Sequence, residues 1–203
     1  MILWIASYPK SGNTWVRAFL SSILYSDEGI NDFSTLHKIR QFPTREHFEN
    51  LVDDFQNPKK IIANWKNAQD KINLDNRIKL LKTHHVLCKI ANFEFTNNSN
   101  SLGVIYIVRD PRSVLLSLKH HFGMKDLDEA RNFITNNNIW VGINKSEKYK
   151  NKATKIPTLI GSWRVNYLSW KSKIKNYMIV RYEDLVENPQ EEFFKISKFI
   201  EKL

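Results

Sequence analysis

Tyr8-Pro9-Lys10-Ser11-Gly12-Asn13-Thr14-Trp15 is the stretch on which the reading of this chain turns. Before it, Leu3 to Ser7 is an apolar run of strand length. From Thr14 the period changes, and Trp15, Val16, Phe19, Leu20, Ile23 and Leu24 recur at helical spacing, predicting one apolar helix face. The chain is therefore expected to open strand, tight loop, helix. A helix N-terminus offers unpaired backbone N–H groups and a partial positive charge. Gly12 lets the backbone curl close to an anion. Lys10 adds a full positive charge and Thr14 a hydroxyl donor. Together they predict a site for a phosphate-like group. The nucleoside-triphosphatase loop places its Lys after its last Gly; here Lys10 precedes Gly12, which argues against an ATP or GTP enzyme.

Outward from the loop, strands and helices alternate. Lys79 to Thr83 reads as a short strand, and Gly103 to Val108, β-branched and aromatic, as the clearest one. The latter runs into Arg109-Asp110-Pro111, where Asp110 is placed to cap a helix that has Pro111 at its first position. Val114, Leu115, Leu118 and Phe122 would give that helix its apolar face. Helices are also expected over Glu46 to Phe55 and Pro58 to Ile72. Met178 to Val180 reads as a strand ending at Arg181-Tyr182. Asn188-Pro189 opens a last helix, with Glu191 placed for a capping box and Phe193, Ile196, Ile200 and Leu203 as its buried stripe. This alternation predicts an α/β, P-loop-like three-layer domain: a central parallel β-sheet flanked by helices, built from residues 1–203 as one domain. In such a sheet the ligand lies at the carboxyl ends of the strands, where each motif falls.

Arg109 ends the clearest strand, and Ser117 follows two turns into the next helix. An Arg fork suits phosphate because it bonds two oxygens at once. Leu81-Lys82-Thr83-His84-His85 ends another strand, with Lys82 and His84 on the same side. A neutral imidazole can take a proton near neutral pH. The 203 residues carry a formal net charge of +10, so an anionic ligand is expected. Lys and Arg are scattered rather than blocked, which weighs against a nucleic-acid-binding tail. His, Cys and carboxylates show no metal-ligand spacing, and no metal is expected. A short apolar N-terminal run and the single Cys88 predict a cytoplasmic protein without a membrane span.

The loop YPKSGNTW resembles the 5′-phosphosulfate loop of the cytosolic-type sulfotransferases, whose usual form has Thr where Asn13 stands. The resemblance extends to Arg109 and Ser117, similar to the family's 3′-phosphate site, and to Lys82-Thr83-His84, similar to its KTH segment. It extends also to Tyr182-Glu183-Asp184, similar to its YED segment. It implies that Lys10, Ser11, Gly12, Asn13, Thr14 and Trp15 cradle the 5′-phosphosulfate of 3′-phosphoadenosine 5′-phosphosulfate (PAPS), and that Arg109 and Ser117 hold the 3′-phosphate. Tyr182 and Trp15 would contact adenine, and Trp163 and Trp170 would be structural. It implies catalysis by His84 as base. Lys10 and the loop amides would stabilise the charge growing on the leaving phosphate oxygen, and Lys82, on the same side of its strand as His84, is placed to touch the transferring group. The sulfuryl group would pass to a hydroxyl or amine, leaving adenosine 3′,5′-bisphosphate as product. Rival readings are a nucleotide-binding relative without activity, a P-loop kinase, and a nonspecific nucleic-acid binder that would use the net charge alone.

The family normally continues into a basic RKG-type segment that closes over the nucleotide. This sequence reaches Glu201-Lys202-Leu203 without it, so a short form, a truncated chain or a replacement clamp is expected. The acceptor is not named by the sequence: a small molecule, glycan, lipid or peptide all stay open, and so does the oligomeric state. Phe42, Phe48, Trp65, Phe122, Phe133, Trp140 and Tyr149 are aromatic candidates either for its pocket or for the core.

Overall fold

In β1 (Ile2–Ser7) every side chain is buried. Alternation sends Ile2, Trp4 and Ala6 to one face and Leu3 and Ile5 to the other, as a strand covered on both sides requires. The computed structural model describes residues 1–30, 33–143, 155–171 and 173–203. Tyr149 lies outside them. After β1 come α1 (Asn13–Tyr25), α2 (Phe33–Leu36), β2 (Arg40–Gln41), α3 (Arg45–Phe48), α4 (Pro58–Ala63), α5 (Trp65–Asn73) and β3 (Lys79–Thr83). Next are β4 (Lys89–Ile90), β5 (Phe93–Glu94), β6 (Ser101–Val108), α6 (Pro111–Phe122), α7 (Leu127–Thr135), β7 (Trp140–Val141) and β8 (Thr158–Leu159). The last are α8 (Trp163–Trp170), β9 (Tyr177–Arg181), α9 (Tyr182–Glu187) and α10 (Pro189–Glu201).

The main sheet has the order β2-β3-β1-β6-β9, and every pairing in it is parallel. The chain leaves β1 toward β3 on one side and β6 on the other. The carboxyl end of β1 is thus the place where the strand order reverses, the position at which open α/β sheets bind ligands. Val16 and Leu20 of α1, Leu185 of α9 and Ile196 of α10 cover one face, against Leu3, Ile5, Ile105 and Ile107. Phe48, Ile61, Trp65 and Trp170 cover the other, against Trp4 and Tyr106. There Trp4 meets Phe42, Phe95 and Trp170 at ring distances of 5.6, 5.7 and 6.1 Å, and its Nε1 donates to Ser101 Oγ at 2.8 Å. The three-layer arrangement expected from the alternation is present.

Local details depart from expectation. In α1 the buried face is narrower: Val16 and Leu20 make it, while Ile23 and Leu24 are 53% and 44% exposed. The helix expected over Glu46 to Phe55 is a single turn, stopping at Phe48, and Asn50 turns left-handed (φ 65°). Pro58 to Ile72 is two helices, parted at Asn64 (φ −113°), whose N–H donates back to Ile61. Glu191 closes no capping box. The Asn188 N–H it would accept from is already given to Asp184 O at 2.8 Å, and Glu191 pairs with Lys195 instead.

Candidate functional site

The loop is short because Lys10 and Gly12 both turn left-handed, at φ 67° and 93°, letting α1 start only six residues after β1 ends. The N-terminus of α1 is thereby set at the carboxyl end of the central strand. Gly12 is needed twice over. Its φ is costly for other residues, and a Cβ there would stand 2.4 Å from Tyr182 Cδ2. Ser11 is buried, and its Oγ has no partner among the described residues. Asn13 is also buried: its Nδ2 donates to Ile5 O at 3.0 Å and to Ser7 Oγ at 3.1 Å, tying the first turn of α1 to the end of β1. Thr14 is exposed. Trp15, 37% exposed, stands edge-on to Tyr182 (6.4 Å) and to Phe193 (5.8 Å).

Arg109 closes onto this loop. Its Nη1 donates to Lys10 O at 3.1 Å, and its guanidinium lies 4.2 Å from the centre of the Tyr182 ring. Trp163 Nε1 donates to the Arg109 carbonyl at 3.1 Å, and Glu183 Oε1 accepts from the Asp110 N–H at 2.9 Å. Asp110 accepts from the Arg112 N–H at 2.8 Å, acting as the cap expected of it. The Nε of Arg109 is buried without a partner among the described residues. Ser117 is half-buried on the second turn of α6. The structure thus joins Lys10, Gly12, Trp15, Arg109 and Tyr182; Ser117 makes no bond to Arg109 among the described residues.

His84 follows β3 and reaches back to β1. Its Nδ1 lies 2.7 Å from Ser7 O and 3.3 Å from Ser7 Oγ. Asn166 Nδ2 donates to the His84 carbonyl and to Ile160 O, both at 2.9 Å, and Asn166 Oδ1 accepts from Tyr106 OH at 2.7 Å. Burial, followed by the positive fields of Lys82, Arg17 and His121, lowers the His84 pKa to about 3, against the opposing effect of the Ser7 carbonyl. The imidazole is therefore neutral at pH 7. Lys82 Nζ donates to Gln41 Oε1 at 2.9 Å; burial first, then Arg17 and Lys155, bring it down to about 8. His85 turns the other way. It stacks on Phe95 at 4.1 Å within the core, and its Nδ1 donates to Val86 O at 2.6 Å.

Arg17 was not singled out from sequence. From α1 it donates to Leu36 O (3.1 Å) and Ile39 O (2.7 Å), steadying the run into β2, which carries Gln41. His121 is lowered by burial and then by Lys10 and Lys155. Among the described residues the lysine and arginine fields that act here are cationic, and no carboxylate is among the causes of these shifts. Such a cluster, with the buried donors Ser11 Oγ and Arg109 Nε unpartnered, fits a multiply charged anion. Among the described residues no group of His, Cys, Asp and Glu could hold a metal ion. Among them, too, no helix is long and apolar enough to cross a membrane. Phe42, Phe48 and Trp65 are fully buried and belong to the core. Phe122 is exposed beside Phe133, at 5.3 Å, on the α6–α7 side, and Trp140 is half-buried. Burial pushes the Cys88 thiol up to about 11, leaving it protonated at neutral pH.

Comparison with known proteins adds independent findings. A family model described as "Sulfotransferase domain" matches residues 2–203. The chain is 27% identical over 203 residues to sulfotransferase 1B1 of Canis lupus familiaris, covering 98% of this chain and 58% of that protein. It is 26% identical over 200 residues to sulfotransferase 1 family member D1 of Mus musculus, with coverage of 98% and 58%. It is 25% identical over 203 residues to the amine sulfotransferase of Oryctolagus cuniculus, covering 98% and 56%. The chain therefore spans somewhat more than half the length of these relatives. Among solved structures, mouse sulfotransferase SULT7A1 complexed with PAP superposes with a TM-score of 0.54 at 16% identity, covering 98% of this chain and 57% of that one. Retinol dehydratase in a complex with retinol and PAP gives 0.56 at 14% identity, covering 98% and 59%. Both likenesses are of fold.

Proposed function

The chain belongs to the sulfotransferase domain family, and from that premise we propose that it transfers a sulfuryl group from PAPS to a hydroxyl or amine. The observation that carries this is the junction of the two anion anchors: Arg109 bonded to the Lys10 carbonyl and stacked on the Tyr182 ring that Gly12 makes room for. The complexes of two structural neighbours with PAP support the choice of nucleotide. A cytoplasmic setting belongs to the same reading, supported by the single cysteine.

In this reading the loop from Lys10 to Thr14 and the start of α1 bind the 5′-phosphosulfate, Arg109 and Ser117 the 3′-phosphate, and Tyr182 with Trp15 the adenine. The donor supplies an activated sulfuryl group. The protein supplies fixed positive charge where the leaving phosphate oxygen gains negative charge, from Lys10 and the amides at the α1 N-terminus. Lys82, held by Gln41, adds a cation beside His84. Nδ1 of His84 is engaged with Ser7, so Nε2 is the ring nitrogen left to take the acceptor's proton.

Transfer of labelled sulfur from PAPS to a panel of phenols, sterols, sugars and amines tests the proposal. Wild-type protein should label at least one class, and His84→Ala should lose at least about 100-fold of that rate, the usual scale for losing a general base. Full transfer by His84→Ala would remove the base from the account.

A further inference from the structure

Three side chains meet at the end of β1. His84 Nδ1 lies 2.7 Å from the Ser7 carbonyl oxygen and 3.3 Å from Ser7 Oγ. A carbonyl oxygen can only accept, so at 2.7 Å the proton is on Nδ1 and the lone pair is on Nε2. Asn13 Nδ2 donates to the same Ser7 Oγ at 3.1 Å and to Ile5 O at 3.0 Å. Ser7 is fully buried and Asn13 nearly so, and water does not compete for these bonds. Asn13 is also the first residue of α1, and its backbone belongs to the phosphate loop.

A ring held through one bond can pivot about it. Here the Ser7 hydroxyl is a second acceptor on the same nitrogen, and Asn13 fixes the rotamer that puts it there. We propose that Asn13 and Ser7 are positioning residues for His84, holding its ring plane and its Nδ1–H tautomer and so joining the phosphate loop to the base. The proposal rests on the reading of His84 as the base. Both side chains act through the His84 ring. Ser7 sits 77 residues from His84 in sequence, so no local pattern announces the contact.

The test is long-range proton–nitrogen NMR of the histidine rings in the full chain near pH 7.5, with His84 assigned through His84→Gln. Wild-type protein should show His84 as the Nδ1–H form. Asn13→Ala and Ser7→Ala should each move the tautomer ratio about fivefold toward Nε2–H, the population change expected for one lost hydrogen bond. The His85 signals should stay put, because that ring is held by Val86 O and Phe95 deep in the core. An unchanged His84 pattern in both variants overturns the proposal. Ring-nitrogen shifts are read without turnover, so this failure is distinct from failure of the base reading, which shows as full sulfuryl transfer in His84→Ala.

Discussion

Arg109 Nη1 donates to the backbone carbonyl of Lys10 at 3.1 Å, joining residues 99 apart in sequence. The loop at the α1 N-terminus and the arginine that follows β6 are one unit, with Tyr182 beneath the guanidinium. Arg109→Ala should therefore weaken adenosine 3′,5′-bisphosphate about 10- to 100-fold, the scale of a charged hydrogen bond. Adenosine 5′-monophosphate, which lacks the 3′-phosphate, should lose much less. Calorimetry on both ligands checks this, and equal losses would dissociate Arg109 from the 3′-phosphate.

Gly12→Ala should destabilise the fold by about 1–3 kcal/mol, because it forces a left-handed alanine. It also drives a methyl into the Tyr182 ring, 2.4 Å away. Adding Tyr182→Ala removes the clash and leaves the backbone strain. Urea midpoints for the two single variants and the double should show the double less destabilised than the sum.

Lys82, lowered to about 8 by burial and by Arg17 and Lys155, is close to half-protonated at pH 8. A bound anion favours the charged form and raises that pKa, so binding at pH 8 takes up protons. Bisphosphate binding measured in buffers of different ionisation enthalpy should report uptake of up to about half a proton per site. Lys82→Met should remove that uptake.

His47 and His85 are kept neutral by burial, at about 4 and about 3 in the folded protein against an ordinary value of 6.5. The unfolded chain thus binds more protons than the folded one between those values. Stability rises with pH through this window and is lost as pH falls below about 6.5. Urea midpoints should drop between pH 7 and pH 5. His85→Phe, which keeps a ring against Phe95, should flatten that slope.

The opening strand, loop and helix were legible in sequence because one apolar run gives way to a helical period across Gly12. β6 and the Asp110 cap were legible for similarly local reasons. What escaped were contacts set by the sheet. Arg17 reaches the turn before β2, Gln41 holds Lys82, Asn166 holds the His84 carbonyl, and Asn13 reaches back to Ser7. Each polar partner is supplied by a neighbouring segment of the fold, so spacing along the chain carries no sign of it. Asn13 read simply as one residue of the cradling loop, whereas its side-chain amide is buried and doubly bonded. The expected Glu191 capping box failed for a related reason, since α9, unforeseen, had already claimed the Asn188 N–H.

The most direct test of the central claim is calorimetric binding of adenosine 3′,5′-bisphosphate, beside ATP with Mg²⁺, to wild type and to Lys10→Ala. Tight bisphosphate binding that Lys10→Ala weakens about tenfold or more, with little response to ATP, is the predicted result. Preference for ATP with Mg²⁺, or bisphosphate binding indifferent to Lys10, would contradict it.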